Sequence, residues 1–199
     1  MAVLLNSSPA SLAEEALPHK TWTRNELLLV EDTGVFADTH FELIDGELID
    51  KMGKKYPHVR STRQTVIVLE AVFGQACVLQ EAPIDVAPED TAQNEPEPDV
   101  TVLRSSFRDR KGNPQPSEIA LVVEIADTTL RNDLTTKASL YARAGIAEYW
   151  VLNLKDRRLH VLRDPIQGSY AVRFEIGEAD FVSPLDRPEQ KIALATLLG

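Results

Sequence analysis

The most apolar run of the sequence, residues 119–126, contains a glutamate, Glu124. The run is continuous rather than alternating, which predicts a central strand that is covered on both faces. Residues 148–154 form a second strong strand pattern, and Asp133 can cap a helix over residues 134–144. A strand, a helix and a strand in this order predict a parallel crossover. We therefore expect an α/β fold in which helices flank a central mixed sheet.

Local signals mark the other elements. Thr23 and Glu26 have the spacing of a capping box, which predicts the start of a helix. Asp45 and Gly46 separate two short apolar runs and predict a hairpin, because both residues tolerate the positive φ of a type I′ turn. Spacing and periodicity predict the remaining elements. These are a helix over 57–73, strands over 76–80, 84–86, 100–103 and 158–162, an edge strand over 170–176, and a closing segment over 192–198.

Length and composition limit the class of protein. The chain has 199 residues, which suits a single domain over residues 21–199. Residues 1–20 are dominated by Ser, Ala, Glu and Pro, which predicts a flexible tail. No apolar run approaches the roughly 20 residues that a membrane-spanning helix needs. The single cysteine rules out an intramolecular disulfide and fits a cytoplasmic location.

The net charge is −10. An acidic chain is a poor candidate for a protein that coats nucleic acid, since such binding depends on Lys and Arg. An enzyme can still concentrate basic residues in one cleft. Two basic clusters occur, and a solvated surface is the simpler interpretation of each. The clusters are Lys51, Lys54, Lys55, Arg60 and Arg63, and Arg104, Arg108, Arg110 and Lys111.

Three charged residues do not fit their local patterns. An ionised Glu124 inside an apolar strand requires a cation, a proton or a hydrogen-bond donor, which a structural salt bridge or solvent at the strand end could also supply. Lys137 shares a helix face with Leu134 and Tyr141, so it points inward or snorkels along the margin. Asp99 stands where a proline-rich loop enters a strand, and turn chemistry alone explains an Asp there.

The three residues become more informative together. If the strand after Asp99 lies antiparallel beside the strand that holds Glu124, both carboxylates reach the same sheet edge, because neighbouring strands lie about 4.8 Å apart. The crossover helix starts at that edge, so Lys137 can overhang the same point. The sequence therefore predicts a site of two carboxylates and one ammonium.

Three segments resemble the Uma2 family of predicted restriction endonucleases, within the PD-(D/E)XK nuclease superfamily. They are FELIDGEL (residues 41–48), PEPDV (96–100) and LVVEIADTTLRNDLTTKASLYARAGIAEYWVLNL (121–154). The resemblance implies a restriction-endonuclease-like fold. It also implies that Asp99, Glu124 and Lys137 are catalytic. The usual lysine position holds Ala126, and Lys137 replaces that lysine from the following helix. Glu47 and His58 correspond to an accessory acid and histidine.

The resemblance further implies Mg²⁺ or Mn²⁺ bound by Asp99, Glu124 and the carbonyl of Ile125, with DNA as the substrate and a homodimer as the assembly. Mutual repulsion is then expected to raise the pKa of the clustered acids without metal. Two alternatives stay open. One is a catalytically inactive nuclease-fold module that binds a partner, and the other is a metal-dependent phosphoesterase for a small substrate.

Overall fold

The computed structural model describes residues 19–51 and 53–199. The predicted tail, residues 1–20, lies outside these ranges except for its last two residues. A six-stranded sheet forms the centre of the molecule in the order β3-β4-β5-β6-β7-β8. Its strands are β3 (Val78–Gln80), β4 (Val100–Leu103), β5 (Ile119–Ala126), β6 (Glu148–Asn153), β7 (Arg158–Ile166) and β8 (Ser169–Gly177).

The sheet is mixed, as predicted. β5 and β6 are parallel, whereas the other neighbouring pairs are antiparallel. All eight residues of β5 are buried, because helices cover both of its faces. Helices α2 (Tyr56–Phe73) and α5 (Leu194–Leu198) pack on one face, and α4 (Ala138–Arg143) packs on the other. The predicted edge strand is confirmed, since β8 ends the sheet.

A separate hairpin of β1 (Phe41–Ile44) and β2 (Glu47–Asp50) packs beside this sheet. Asp45 and Gly46 form its turn with φ of 48° and 79°, so the predicted type I′ turn is confirmed. Backbone hydrogen bonds between Leu43 and Glu95 tie the hairpin to the loop that precedes β4. The hairpin is therefore held against the same end of the sheet as Asp99.

Helix α1 (Arg24–Glu31) begins with the predicted capping box of Thr23 and Glu26. The helix after β5 differs from the prediction. It begins as α3 (Leu130–Asn132), passes through a π-helical turn (Asp133–Lys137) and continues as α4.

Asp133 is therefore inside this helical segment and is not its N-cap. Its side chain turns back to accept a hydrogen bond from the hydroxyl of Thr129 at 2.6 Å. Its carbonyl accepts a hydrogen bond from the buried hydroxyl of Tyr149 at 3.0 Å. Both bonds anchor the turn against the preceding loop and the neighbouring strand.

The predicted strand over residues 84–86 is wrong. These residues form a loop, although Ile84 and Val86 are buried. The amide of Ile84 donates to the carbonyl of Pro96, and that of Asp85 donates to the carbonyl of Pro114. The apolar pattern here reflects burial under the sheet edge, and the backbone bonds go to two different loops rather than to one strand.

Short elements complete the fold: β9 (Phe181–Val182) pairs with β10 (Ile192–Ala193), which leads into α5. Among residues 19–51 and 53–199, no helix has both the length and the apolar character that crossing a membrane requires.

Candidate active site

The pairing of β4 with β5 brings Asp99 and Glu124 together. Val100 lies opposite Val123 in the antiparallel register, so Asp99, one residue before β4, faces Glu124, one residue further along β5. The amide of Ile125 donates a hydrogen bond to Oδ2 of Asp99 at 2.7 Å. Both carboxylates are buried, with 3% of each residue exposed.

Lys137 completes the predicted group of three. Its Nζ lies 2.9 Å from Oε1 of Glu124, and only 2% of the residue is exposed. The side chain therefore points inward and does not snorkel to the surface. The hydroxyl of Tyr141, one helical turn further along, donates to the same Oε1 at 2.9 Å.

Glu42 is a fourth charged residue of the site, and it comes from the hairpin. Its Oε1 lies 2.8 Å from Nζ of Lys137, and its Oε2 accepts from the amide of Glu97 at 3.2 Å. Glu47, which the resemblance suggested as the accessory acid, is exposed on β2 and is outside the cleft. The structure thus brings Glu42, rather than Glu47, to Lys137.

Sequence reasoning missed Glu42 for a specific reason. Glu42 and Glu47 lie on the same face of the hairpin, because Glu42 pairs with Ile49 and Glu47 pairs with Ile44. The alternation of apolar residues in the hairpin therefore predicts the same degree of burial for Glu42 and Glu47. Only the docking of the open end of the hairpin on the central sheet separates them.

Asp99 has two further partners at the start of α2. His58, the second accessory candidate, places Nε2 at 3.2 Å from Oδ2. Nζ of Lys54 lies 3.0 Å from Oδ1 and also contacts Glu81. Lys51 is more buried than Lys54, and its Nζ donates to the carbonyl of Glu97 at 2.9 Å.

These side chains line a cleft with a volume of about 190 Å³. Four lysines and six carboxylates face it, so the lining has a formal charge of −2 (four minus six), whereas the whole chain carries −10. They are Lys51, Lys54, Lys55 and Lys137, and Glu42, Asp50, Asp99, Glu124, Asp127 and Asp133. Three lysines of the first basic cluster thus belong to the cleft.

The second basic cluster is not part of the cleft lining. Arg104 pairs with Asp186 on the surface, and Arg110, whose side chain is mostly buried, pairs with Glu118. The simpler interpretation of this cluster therefore fits the structure.

The two carboxylates have opposite pKa shifts. Burial, together with the nearby charges of Asp99 and Asp133, raises the pKa of Glu124 to about 7 in spite of Lys137. Burial also acts to raise the pKa of Asp99, but the hydrogen bond from His58 and the lysine charges outweigh it, so this pKa is lowered. The expected rise in the pKa of the clustered acids is therefore wrong for Asp99.

Lys137 stays positively charged. Burial alone would lower the pKa of its ammonium, but the carboxylates of Glu124, Glu42 and Asp133 raise it. One ammonium is shared between two buried acids, Glu42 and Glu124, which leaves an excess of negative charge at this point. Burial is the main reason why Glu124 holds a proton more readily than an exposed carboxyl does, and the charges of Asp99 and Asp133 add to it.

The profile of the Uma2 family, described as "Putative restriction endonuclease", matches residues 25–195. This chain belongs to the Uma2 family. The matched range contains all of the acidic and basic side chains that line the cleft. No significant match exists among curated proteins.

A solved structure supports the fold of this Uma2 chain. It is described as a putative nuclease belonging to DUF820 from Anabaena variabilis, and it is 20% identical in sequence. The alignment covers 81% of this chain and 90% of that chain with a TM-score of 0.58. At this identity the likeness shows the fold alone, and the predicted restriction-endonuclease-like fold is confirmed.

The donor set of this Uma2 cleft fits a magnesium-type ion. Among the described residues, no group of three or more His, Cys, Asp or Glu side chains is arranged to hold a metal. Asp99 and Glu124 offer two carboxylates, and Ile125 also lines the cleft. Mg²⁺ needs few protein ligands because it keeps several waters, whereas structural zinc sites need four ligands of Cys or His type.

Proposed function

We propose that this Uma2 protein is a metal-dependent endonuclease that hydrolyses phosphodiester bonds in DNA. One observation carries the proposal. Asp99, Glu124 and Lys137, from two strands and the following helix, share one cleft, and Lys137 contacts Glu124 directly. Two acids can hold a divalent ion and a nearby amine can stabilise developing negative charge, which are groups suited to the hydrolysis of a phosphodiester.

The metal-binding residues would be Asp99 and Glu124, with the carbonyl of Ile125 as a third ligand. Bound there, Mg²⁺ or Mn²⁺ supplies Lewis-acid stabilisation of the phosphate and lowers the pKa of a water molecule. The amide of Ile125 and His58 fix the orientation of Asp99 through its Oδ2. Because the carboxylate of Asp99 is already ordered, metal binding loses less conformational entropy.

Lys137 would place a positive charge where negative charge develops on the phosphate, or orient the attacking water. Glu42 and Glu124 hold its ammonium from two sides, so its position is set before substrate arrives. The hydroxyl of Tyr141 donates to Oε1 of Glu124 and so keeps this oxygen directed toward Lys137. No hydrogen bond from the described residues reaches Oε2 of Glu124, so this oxygen is available as a ligand.

The cleft favours a polymer over a small substrate. Its volume of about 190 Å³ is below the roughly 300–1,000 Å³ that encloses a drug-sized ligand. A single phosphate of a long chain can enter such a cleft while the rest of the polymer stays outside. Lys55, with 70% of its side chain exposed, stands at the cleft where a flanking phosphate would pass.

We also propose that the protein pairs through β8, the exposed edge of the sheet, because cutting both strands of DNA requires two sites. In an antiparallel pairing centred on Phe174, Arg173 lies opposite Glu175 of the partner subunit. Val172 and Phe174 on this strand are partly exposed. Opposite charges and apolar side chains along one edge favour a second copy of the chain as its occupant.

The test of the nuclease proposal combines cleavage with metal binding. Supercoiled plasmid is incubated with the wild type, Asp99→Asn and Lys137→Met, each with and without Mg²⁺ or Mn²⁺. We expect metal-dependent nicking by the wild type and a loss of about 100-fold or more in both variants. Lys155→Met is the matched control and should retain cleavage, because Lys155 is exposed and lies outside the cleft lining.

Thermal unfolding of the same samples separates the alternatives. Stabilisation of the wild type by Mg²⁺, absent in Asp99→Asn, is expected if the cleft binds metal. Metal binding without cleavage of plasmid, RNA or nucleotides would indicate an inactive binding module. Hydrolysis of nucleotides without plasmid cleavage would indicate a small-substrate phosphoesterase.

A further inference from the structure

The two oxygens of Asp99 have different kinds of partner. Oδ2 accepts a hydrogen bond from the backbone amide of Ile125 and lies 3.2 Å from Nε2 of His58. Oδ1 forms an ion pair with Nζ of Lys54 at 3.0 Å, and among the described residues this is its one hydrogen-bonded or ionic partner. The orientation of the carboxylate therefore depends on Oδ2, while Oδ1 is held by a single flexible side chain.

Lys54 is shared between a buried acid and a more exposed one. Its ammonium also contacts Glu81, whose side chain is 33% exposed, whereas the side chain of Asp99 is 4% exposed. Lys54 can therefore leave Asp99 and keep an ionic partner. The energetic cost of that movement is smaller than the cost of stranding an unpaired ammonium in the cleft.

Lys137, the lysine that contacts Glu124, has no such alternative. Both of its partners, Glu42 and Glu124, are buried, and 3% of its own side chain is exposed. For Lys54 the exposed fraction is 21%. One ammonium is thus fixed within the site, and the other stands at its open side beside an acid that can retain it.

We propose that Lys54 and a divalent cation compete for Oδ1 of Asp99, with Glu81 retaining the ammonium when the cation binds. The inference rests on the proposed metal site and adds a residue that sets its affinity. Lys54 and the cation have the same sign of charge and use the same oxygen, so removal of the lysine charge strengthens metal binding. Lys54 then acts as a positioning residue that keeps Asp99 ordered until the cation takes the place of the ammonium.

The experiment measures the affinity of the full chain for Mg²⁺ and Mn²⁺ by isothermal titration calorimetry. Lys54→Met should bind both ions about tenfold more tightly than the wild type, which corresponds to the loss of one close ion pair. Lys54→Arg keeps the charge and should stay near the wild type. Lys55→Met removes the neighbouring charge, which does not contact Asp99, and should also stay near the wild type.

Glu81 provides a second and independent arm. Glu81→Gln should weaken metal binding several-fold, because the displaced ammonium loses its retaining partner. In the Lys54→Met background the same substitution should have little effect, since no ammonium is left to retain. This double-mutant cycle isolates the contact between the two side chains from the general loss of negative charge.

Each outcome decides the inference. Equal or weaker binding by Lys54→Met would overturn it, since Lys54 would then support Asp99 rather than compete for it. Equal tightening by Lys55→Met would also overturn it, because the effect would be long-range electrostatics. If neither the wild type nor Lys54→Met binds either ion, the metal site itself fails and the inference fails with it. If the wild type binds the ions and Lys54→Met binds them no more tightly, the competition proposal fails while the proposed metal site stands.

Discussion

Oε1 of Glu42 lies 2.8 Å from Nζ of Lys137, although Glu42 comes from the two-stranded hairpin and Lys137 from the helix behind the central sheet. Both residues are buried, so water does not solvate either charge if its partner is lost. Removing the charge of Glu42 leaves Lys137 with Glu124 as its remaining carboxylate contact, and removing the charge of Lys137 leaves both buried acids without its ammonium. The hairpin is therefore a part of the site and not only a cover for the sheet edge.

Glu42→Gln should reduce DNA cleavage by about 10- to 100-fold, because Lys137 loses one of the two carboxylates that fix it. Glu47→Gln is the matched control, since Glu47 lies exposed on the same face of the same hairpin. Cleavage rates at saturating Mg²⁺ provide the measurement. Equal losses in both variants would mean that the hairpin charge, rather than the contact with Lys137, is responsible.

The pH dependence of stability should report the buried carboxyl of Glu124. Burial raises its pKa to about 7 in the folded chain, above the value of about 4.3 in an unfolded chain. Between these values the folded state binds more protons, so this residue lowers the stability as pH rises and has no further effect above about pH 7.

Urea unfolding of the wild type and Glu124→Gln between pH 4.5 and 8 tests this expectation. The difference in stability between the two should change by at most about 3 kcal/mol across the window, in favour of the variant as pH rises. A difference that does not vary with pH would show that Glu124 titrates in its ordinary range.

Glu148 provides a test of burial itself. This fully buried carboxylate accepts hydrogen bonds from Arg163, the indole of Trp150 and the amide of Leu185. Glu148→Gln should destabilise the fold by about 3 kcal/mol, because the guanidinium of Arg163 loses its counter-charge.

Glu178→Gln is the control for that variant, since Glu178 forms an exposed ion pair with Arg157 at 2.5 Å. Such exposed pairs contribute little, so chemical denaturation should show no measurable change. Similar losses in both variants would contradict the importance of burial.

The proposed pairing through β8 should respond to an exchange of charges. Arg173→Glu alone, or Glu175→Arg alone, places like charges opposite each other and should shift the protein to the monomer in size-exclusion chromatography with light scattering. The double variant Arg173→Glu/Glu175→Arg should restore the dimer. A wild type that is monomeric at every concentration would remove this part of the proposal.

Much of the fold could be predicted from local chemistry. The continuous apolar run of β5, the Asp45-Gly46 turn and the capping box at Thr23 depend on neighbours in the chain, and the structure contains all three. The meeting of Asp99 with Glu124 needed only the register of two adjacent strands. These features are predictable because each one follows from a short stretch of sequence.

The rest depends on contacts between distant segments. Glu42 differs from Glu47 only through the docking of the hairpin, and Lys54 approaches Asp99 only because α2 starts beside β4. The loop around Ile84 is apolar because Ile84 and Val86 are buried against the rest of the protein. Its sequence pattern therefore resembles that of a strand. Such features require the three-dimensional arrangement of the whole domain.

The π-helical turn at Asp133–Lys137 has one more implication, for insertions and deletions. Each residue of a helix advances the side chains by about 100° around its axis, so loss of one residue within this turn would rotate the segment before it relative to Lys137 and Tyr141. A shortened chain could convert the turn to regular α-helix and keep all strands paired. The amine of Lys137 would then no longer face Glu42 and Glu124. The protein would remain folded but would lack the arrangement of the candidate site.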